Sequence, residues 1–289
     1  MIKPSTFSIV AFDSKASSWG IAVASKFPAA GAVVPWARAD AGAVATQSYA
    51  NTSYGPLGLE MMASGRTAQE TLDTLIAEDD GRDLRQAGLV DLKGGVATYT
   101  GKDCFDWAGG RSGDGYCLQG NILVGELVLQ RMAEAYEGTP GELPERLLAA
   151  LFAGDRAGGD RRGRQSAALL VVKPEGGYGG YNDRWIDYRV DDHADPVPRL
   201  LELLELHHLY FDKSPSEEEL AIEGEICRNL QSLMIKQDYA LDQASGIYDP
   251  ATQKALRQFL GNENFEERAN FDTGRIDAPV YEFLVRKFG

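Results

Sequence analysis

The sequence predicts an α+β fold built on antiparallel sheets, followed by a small all-α domain. Strand-like and helix-like segments occur in separate runs along the chain, whereas strict βαβ alternation would indicate a parallel sheet. A change of composition follows at Asp212, where the stretch DKSPSEEEL is polar, acidic and contains proline. We therefore predict two domains in this 289-residue chain, covering residues 1–211 and 212–289.

The first two predicted strands form a hairpin. TFSIVAF at 6–12 and WGIAVAS at 19–25 are rich in β-branched and small apolar residues, and a polar stretch separates them. Because they are apolar on both faces, we expect them at the centre of one of two stacked sheets. Further strands are predicted at 31–36, 42–47, 87–92, 96–100, 166–173 and 185–190.

Helical patterns lie between these strands and outside them. The segment 67–78 begins at Thr67, with Glu70 three residues later, which is the spacing of a capping box. We expect this helix and the one beginning at Asn121 to cover opposite outer faces of the sheets or to pair on one face. The predicted helices of the first domain are 57–64, 67–78, 121–136, 143–152 and 198–209.

The tail contains a weak internal repeat, GIYDPATQKAL and GRIDAPVYEFL. Asp249 and Asp277 occupy natural N-cap positions, and Pro250 and Pro279 fall in the first turn, where a missing N–H costs nothing. The repeat therefore predicts two capped helices in a compact helical unit. The expected core residues are Leu230, Leu233, Leu256, Phe259 and Leu284.

Charge and composition exclude several classes of protein. Lys and Arg number 29 against 43 Asp and Glu, giving a net charge of −14, so binding to nucleic acid or to an anionic membrane is not expected. No apolar run approaches the roughly 20 residues of a membrane helix, and the start MIKPSTFSIVAFDS lacks the pattern of a signal peptide. Three cysteines are too few for a disulfide framework, so we predict a cytoplasmic, reduced protein.

Several segments together carry a resemblance to the DUF1028 family, which is grouped with the N-terminal-nucleophile (Ntn) hydrolases. They are TFSIVAFD, VASKF, GAVVPWARA, GAVATQ, NTSYGPLGL, QGNIL and GGDRRGRQSAALLVV, between about Thr6 and Leu209. In the tail, CRNLQSLM, GIYDPATQKALRQF and TGRIDAPVYEFL resemble a peptidoglycan-binding module. The resemblance implies an αββα sandwich followed by a three-helix module.

The resemblance also implies a nucleophile. An Ntn hydrolase attacks an amide with the side chain of its first residue, whose own α-amine accepts the proton. Thr6 is the candidate, and because MIKPS precedes it, activation requires cleavage between Ser5 and Thr6. Lys26 is the second catalytic candidate. If the hairpin turns around SKASS, the numbers of two paired residues add up to 31 or 32, which places Ser25 or Lys26 opposite Thr6. A lysine there would lower the pKa of a neighbouring amine or stabilise an oxyanion.

Three polar clusters are candidates for a substrate pocket. Gln47, Asn51 and Tyr54 lie where a predicted strand runs into a helix, and Gln119 and Asn121 precede the long helix, where Asn121 is equally suited to be its N-cap. In a third, separate cluster, Arg164 could bind a carboxylate in a bidentate way or belong to a solvated basic turn.

Other chemistries have less support in the sequence. The three histidines and three cysteines show no ligand spacing for zinc, so neither a metal nor a cofactor is predicted. We expect an amidohydrolase acting on a small amide, with a catalytically silent binding or scaffold protein as the alternative. A small-molecule ligand and a homodimer fit both, whereas a peptidoglycan partner conflicts with the predicted cytoplasmic location.

Overall fold

The computed structural model describes residues 6–212, 214–215 and 218–289. The chain divides into two compact units, Met1–Leu204 and Glu205–Gly289. The predicted linker begins at Asp212, and its residues Lys213, Ser216 and Glu217 lie outside the described residues. Among the described residues, no helix is both long enough and apolar enough to span a membrane.

The first unit contains two antiparallel sheets. In chain order its strands are β1 (Thr6–Asp13), β2 (Ser18–Ser25), β3 (Pro35–Arg38), β4 (Gly42–Ser48), β5 (Arg85–Asp91), β6 (Val96–Thr100), β7 (Gly109–Gly113), β8 (Tyr116–Asn121), β9 (Ser166–Val172) and β10 (Arg184–Val190). One sheet has the order β10-β9-β2-β1-β8-β7, and the other has the order β3-β4-β5-β6. The predicted first hairpin is confirmed and lies at the centre of the larger sheet.

Helices cover the outer face of each sheet. They are α1 (Tyr54–Ala63), α2 (Ala68–Ala77), α3 (Leu127–Gly138), α4 (Leu143–Arg156) and the first part of α5 (Pro196–Phe211), a helix that begins in the first unit and ends in the second. Helices α1 and α2 pack on the four-stranded sheet, and α3 and α4 pack on the six-stranded sheet. The predicted α+β sandwich, with helices on opposite outer faces, is therefore confirmed.

The side chains of β1 alternate between two environments. Phe7 and Ile9 belong to the core under α3 and α4, whereas Val10 belongs to the apolar core between the sheets. Because successive strand residues point to opposite faces, Thr6 and Ser8 lie on the same face as Val10. The inter-sheet space is thus apolar at one end of β1 and polar at the end where the strand begins.

The capping box of α2 is confirmed: Thr67 accepts a hydrogen bond from the Glu70 amide, and the Glu70 carboxylate accepts one from the Thr67 amide. The strand expected at 31–36 is wrong in its first half. Ala30–Ala32 instead form a short 3₁₀ turn, in which Gly31 packs so tightly against Ala168 that a Cβ would lie 2.5 Å from the methyl carbon.

The helix expected to begin at Asn121 is also wrong in its first part. Asn121 ends strand β8, and α3 begins only at Leu127. Polar Gln119 and Asn121 alternate with buried Leu118 along β8, which is a strand pattern. The partner strand β7, with the sequence GGRSG, carries no apolar residue that would have predicted the hairpin.

The second unit contains the three predicted helices, α6 (Gly224–Lys236), α7 (Pro250–Asn262) and α8 (Ala278–Phe288). All five expected core residues are buried there. A small sheet, β11 (Glu219–Ala221), β12 (Ala269–Asn270) and β13 (Arg275–Asp277), accompanies them in the order β11-β13-β12. Its strands of two or three residues are too short to show a period in the sequence.

The two predicted caps differ. The Asp249 side chain accepts a hydrogen bond of 2.8 Å from the Thr252 amide, as expected. Asp277 stands at the N-cap position of α8, but its carboxylate forms a buried ion pair with Arg268 instead. The Arg268 guanidinium also donates to the carbonyls of His208 and Leu209, so it joins three segments of this unit.

We expect Arg268→Met to destabilise the second unit by about 3–5 kcal/mol, because Asp277 would be left as a buried, unpaired charge. Hydrogen exchange of the amides in 205–289 measures this effect. Arg286→Met, which changes an exposed arginine of α8, is the matched control and should leave exchange nearly unchanged. Equal protection in both variants would contradict the assigned role of the ion pair.

Candidate active site

A cluster of buried polar side chains lies between the two sheets at the start of β1. Every member comes from a strand and points into the inter-sheet space, where it is buried, so most of its polar atoms bond one another or the backbone. The cluster, called here the polar network, consists of Thr6, Ser8, Gln47, Gln86, Gln119 and Asn121.

Gln86 is the centre of the polar network. Its side-chain oxygen accepts hydrogen bonds from Gln47 Nε2 at 2.8 Å and from Asn121 Nδ2 at 2.9 Å. Its nitrogen donates to Thr100 Oγ1 and to the carbonyls of Gly109 and Gly120, at 2.8–3.2 Å. One amide therefore connects β4, β5 and β6 of one sheet with β7 and β8 of the other.

The polar network holds the backbone of Thr6. Gln47 Nε2 lies 3.2 Å from the Thr6 carbonyl oxygen, and Asn121 Nδ2 lies 3.5 Å from it. The Thr6 hydroxyl lies 3.1 Å from Ser25 Oγ, on the neighbouring strand. Both ends of this residue, the carbonyl and the hydroxyl, are therefore held in place by buried groups.

Ser8 and Gln119 extend the network along β1. Ser8 Oγ donates to Gln47 Oε1 at 2.7 Å and accepts from Gln119 Nε2 at 2.6 Å. Gln119 Oε1 is buried and has no hydrogen-bond partner among the described residues. It packs on Gly88, where a Cβ would lie 2.1 Å from this oxygen, so only glycine leaves room for the Gln119 amide.

A cavity of about 370 Å³ opens beside Thr6. Its polar lining comes from Thr6, Gln47, Ser48 and Arg85, and the rest of its wall is mostly apolar. The apolar and aromatic lining residues are Phe27, Ala30, Val33, Val34, Tyr49 and Ala50. A volume of this size and a mostly apolar wall with few polar groups are typical of small-molecule sites.

Arg85, in the cavity wall, forms an ion pair with Asp79, which lies outside the lining. Arg85 Nε donates to Asp79 Oδ2 at 2.9 Å, and Asn51 Nδ2 and the Tyr54 hydroxyl each donate to the same oxygen at 3.0 Å. The hydrogen bond from Arg85 is the main reason that the pKa of Asp79 lies well below its usual value. Burial, followed by the bond to Asp79, raises the pKa of Tyr54.

Lys26 and Arg164 lie together in a different place. The register pairs Thr6 with Ser25, so Lys26 is one residue beyond the position opposite Thr6. Its ammonium donates to the Arg164 carbonyl at 3.1 Å. The Arg164 guanidinium pairs with Asp155 at 2.6 Å and lines a separate cavity of about 240 Å³ that does not include Thr6.

The structure thus divides the predicted site residues into three groups. Thr6, Gln47, Gln119 and Asn121 share the polar network, Asn51 and Tyr54 bind Asp79, and Lys26 contacts Arg164. Sequence reasoning missed four residues: Ser8, Asp79, Arg85 and Gln86. One signal for Gln86 was available in the sequence, because it comes one residue before the predicted strand 87–92. Extending that strand by one residue includes Gln86 and places it on the same face as Gly88.

The cysteines do not offer an alternative nucleophile. All three are buried, and burial raises the pKa of Cys117 to about 12, which keeps its thiol protonated near neutral pH. Within the described ranges, no group of three or more His, Cys, Asp or Glu side chains could hold a metal ion.

Fold and site together define an αββα sandwich protein in which a threonine begins a central strand and lines a cavity. The DUF1028 family, described as a family of unknown function, matches residues 6–200, and the chain belongs to this family. Residues 210–284 match PG_binding_2, described as a "Putative peptidoglycan binding domain".

A solved structure supports the family assignment. Protein SPO2555 from Silicibacter pomeroyi, a DUF1028 protein, is 30% identical and superposes with a TM-score of 0.65. The match covers 71% of this chain and 89% of that one. A search of curated proteins found no match.

We expect Gln86→Leu to lower the free energy of unfolding of the first unit by about 3 kcal/mol, because it leaves buried amides and carbonyls without partners. Urea unfolding followed by tryptophan fluorescence measures the change. Gln69→Leu on the exposed face of α2 is the control and should shift stability by at most about 0.5 kcal/mol. A loss no larger than the control's would contradict the central role of Gln86.

The lowered pKa of Asp79 predicts a pH dependence. A carboxyl with a lower pKa in the folded state stabilises the fold above its unfolded pKa of about 3.9, and the contribution is lost as the pH falls below that value. The stability difference between the unchanged chain and Asp79→Asn should therefore be constant above about pH 5 and shrink below about pH 4. Unfolding in urea across this range tests it, and a difference independent of pH would contradict the assignment.

Proposed function

We propose that the first unit is an Ntn-type amidohydrolase that cleaves a small amide with Thr6 as its nucleophile. The observation that carries the proposal is the position of Thr6, at the start of a central strand of an αββα sandwich, with its side chain in the lining of a cavity. The resemblance to Ntn hydrolases, in which this residue type does the chemistry, supports the same role.

The reaction needs a free α-amine on Thr6, because an amide nitrogen cannot act as a base. After cleavage of the Ser5–Thr6 bond, Oγ1 attacks the substrate carbonyl carbon while the α-amine takes the hydroxyl proton. That proton passes to the leaving nitrogen as the C–N bond breaks, giving a free amine and an ester on Thr6. Water, deprotonated by the same α-amine, then hydrolyses the ester and releases the acid.

Neighbouring groups fit this chemistry. Gln47 and Asn121, by holding the Thr6 carbonyl, limit the directions from which Oγ1 can attack, and Ser25 Oγ is within hydrogen-bond distance of the nucleophile. The apolar wall formed by Phe27, Val33 and Val34 favours a compact acyl group. Lys26 follows the strand partner of Thr6 by one residue, and we keep it as the candidate for an electrostatic role, since a cation that approached the α-amine would favour its basic, neutral form.

A catalytically silent binding protein is the second candidate. Thr6 is only 3% exposed, and the amides of Gln47 and Asn121 are already bonded to neighbouring groups, which also fits a purely structural network. In that case the cavity would bind a small molecule without cleaving it. The C-terminal unit would then supply a second binding surface, and peptidoglycan is the ligand to test there. The predicted cytoplasmic location argues against that ligand.

A chain engineered to begin Met-Thr6, from which Met is removed, should hydrolyse small amides at least about 100-fold faster than the chain beginning at Met1, because general-base assistance is worth about 10²–10⁴ in rate. Intact-mass spectrometry establishes both N-termini before an amide panel is assayed. Thr6→Ala should abolish the gain, and Lys26→Ala should reduce it.

Lys15→Ala, in the exposed turn between β1 and β2, is the control for Lys26→Ala and should leave the rate unchanged. Equal activity from a chain shown to begin at Met1 would place the nucleophile elsewhere. Binding of amides without turnover by the chain beginning at Thr6 would favour the silent binding protein.

A further inference from the structure

We propose that the ligand of the Thr6 cavity carries a carboxylate and that Arg85 binds it. The inference rests on the proposed function in taking this cavity as the substrate site, and it names the class of substrate. Arg85 is the one charged residue that lines the cavity, and every other described lining residue is neutral. An anionic group entering the cavity therefore meets a single cation on its wall.

Arg85 is held rigidly from one side. Its Nε and Nη2 atoms face Asp79 as a fork, at 2.9 Å to Oδ2 and 3.4 Å to Oδ1, and Nη1 donates to the Tyr49 carbonyl. Arg85 is about one-fifth exposed at its side chain, so the guanidinium is neither free in solvent nor sealed in the core. A cation fixed in this way loses little conformational entropy when it binds an anion.

The N–H groups of Arg85 are only partly used. A guanidinium offers five N–H donors, and the bonds to Asp79 and Tyr49 use three of them. One N–H on Nη1 and one on Nη2 have no acceptor among the described residues. Donors on the two terminal nitrogens of a planar guanidinium can reach the two oxygens of one carboxylate.

Asp79 uses only part of the hydrogen-bonding capacity of Arg85, because neutral groups also donate to its carboxylate. Besides Arg85, the carboxylate accepts hydrogen bonds from Asn51 Nδ2, from the Tyr54 hydroxyl and from the Gly81 amide, the last at 2.7 Å. These three neutral donors add to the stabilisation that Arg85 gives the carboxylate and need no further N–H group of Arg85. Asn51 and Tyr54 are then positioning residues, which hold Asp79 and through it Arg85.

The lining defines the shape of the ligand. Thr6 supplies the hydroxyl, Phe27, Val33 and Val34 supply an apolar wall, and Arg85 supplies the anion site. A short amide with a carboxylate at the far end of a methylene chain meets all three requirements. The substrate class is therefore an ω-carboxy amide, and a series with two, three or four methylenes, namely succinamic, glutaramic and adipamic acid, measures the spacing.

Binding to the Thr6→Ala chain beginning at residue 6 tests this without turnover. Calorimetry should show that at least one of the three acids binds tenfold or more tightly than its neutral diamide at low salt. Arg85→Gln should remove that preference, and Arg85→Lys should keep part of it, since lysine retains the charge but not the fork. Arg131→Gln, on the exposed face of α3, is the control and should keep the full preference.

The outcomes separate the two proposals. If none of the three acids binds better than its diamide, or if Arg85→Gln keeps the preference, the carboxylate site is overturned even when the chain beginning at Thr6 hydrolyses amides. If the acids bind with the Arg85-dependent preference but the chain beginning at Thr6 cleaves neither them nor any other amide of the panel, the amidohydrolase proposal fails and the carboxylate site stands. Should Arg85→Gln fail to fold, as judged by circular dichroism, the comparison of acid with diamide decides alone.

Discussion

The architecture depends on one constraint, which is that polar side chains buried between two sheets must bond one another. These side chains are almost fully buried, so their amides take most of their partners from the protein itself. Gln86 meets this requirement for five groups at once. Since those groups belong to strands of both sheets, their bonds fix how the sheets lie against each other at this end.

The same constraint makes the start of β1 a precisely placed position. Apolar packing is tolerant of small shifts, whereas hydrogen bonds weaken steeply with distance and angle. Thr6 therefore sits at the boundary between a rigid network behind it and an open cavity in front of it. A fixed backbone beside a cavity is what a nucleophile or a ligand-binding hydroxyl needs.

Much of the fold could be predicted because the relevant signals are local. The strands 6–12 and 19–25 carry continuous β-branched and apolar sequences, and the Thr67–Glu70 cap depends on residues three apart. Strand β7 could not be found, because GGRSG is held by pairing with β8 and not by its own side chains. The start of α3 was misplaced because polar residues at 119 and 121 fit both a helix cap and a buried strand.

The site was predicted only in part, because some of its residues belong to local motifs and others depend on contacts between distant segments. Thr6, Gln47, Gln119 and Asn121 were found from motifs, and the structure brings them into one network. The role of Asn51 as a donor to Asp79 could not be predicted, since it depends on the approach of the loop before α1 to the end of α2. The sequence allowed two hairpin registers, which place either Ser25 or Lys26 opposite Thr6. The structure has Ser25 there, and a shift of one residue is enough to change which side chain faces Thr6.

The central position of the first hairpin has a consequence for how the protein is made. Thr6 pairs with Asn121 across 115 residues of sequence, and β2 pairs with β9, which begins only at Ser166. At a synthesis rate of 5–20 residues per second, β1 and β2 wait on the order of ten seconds for these partners, with their apolar outer edges exposed. Long-range pairing of this kind also slows folding itself. The nascent chain is therefore most prone to aggregate during that interval, which is when a chaperone would help it most.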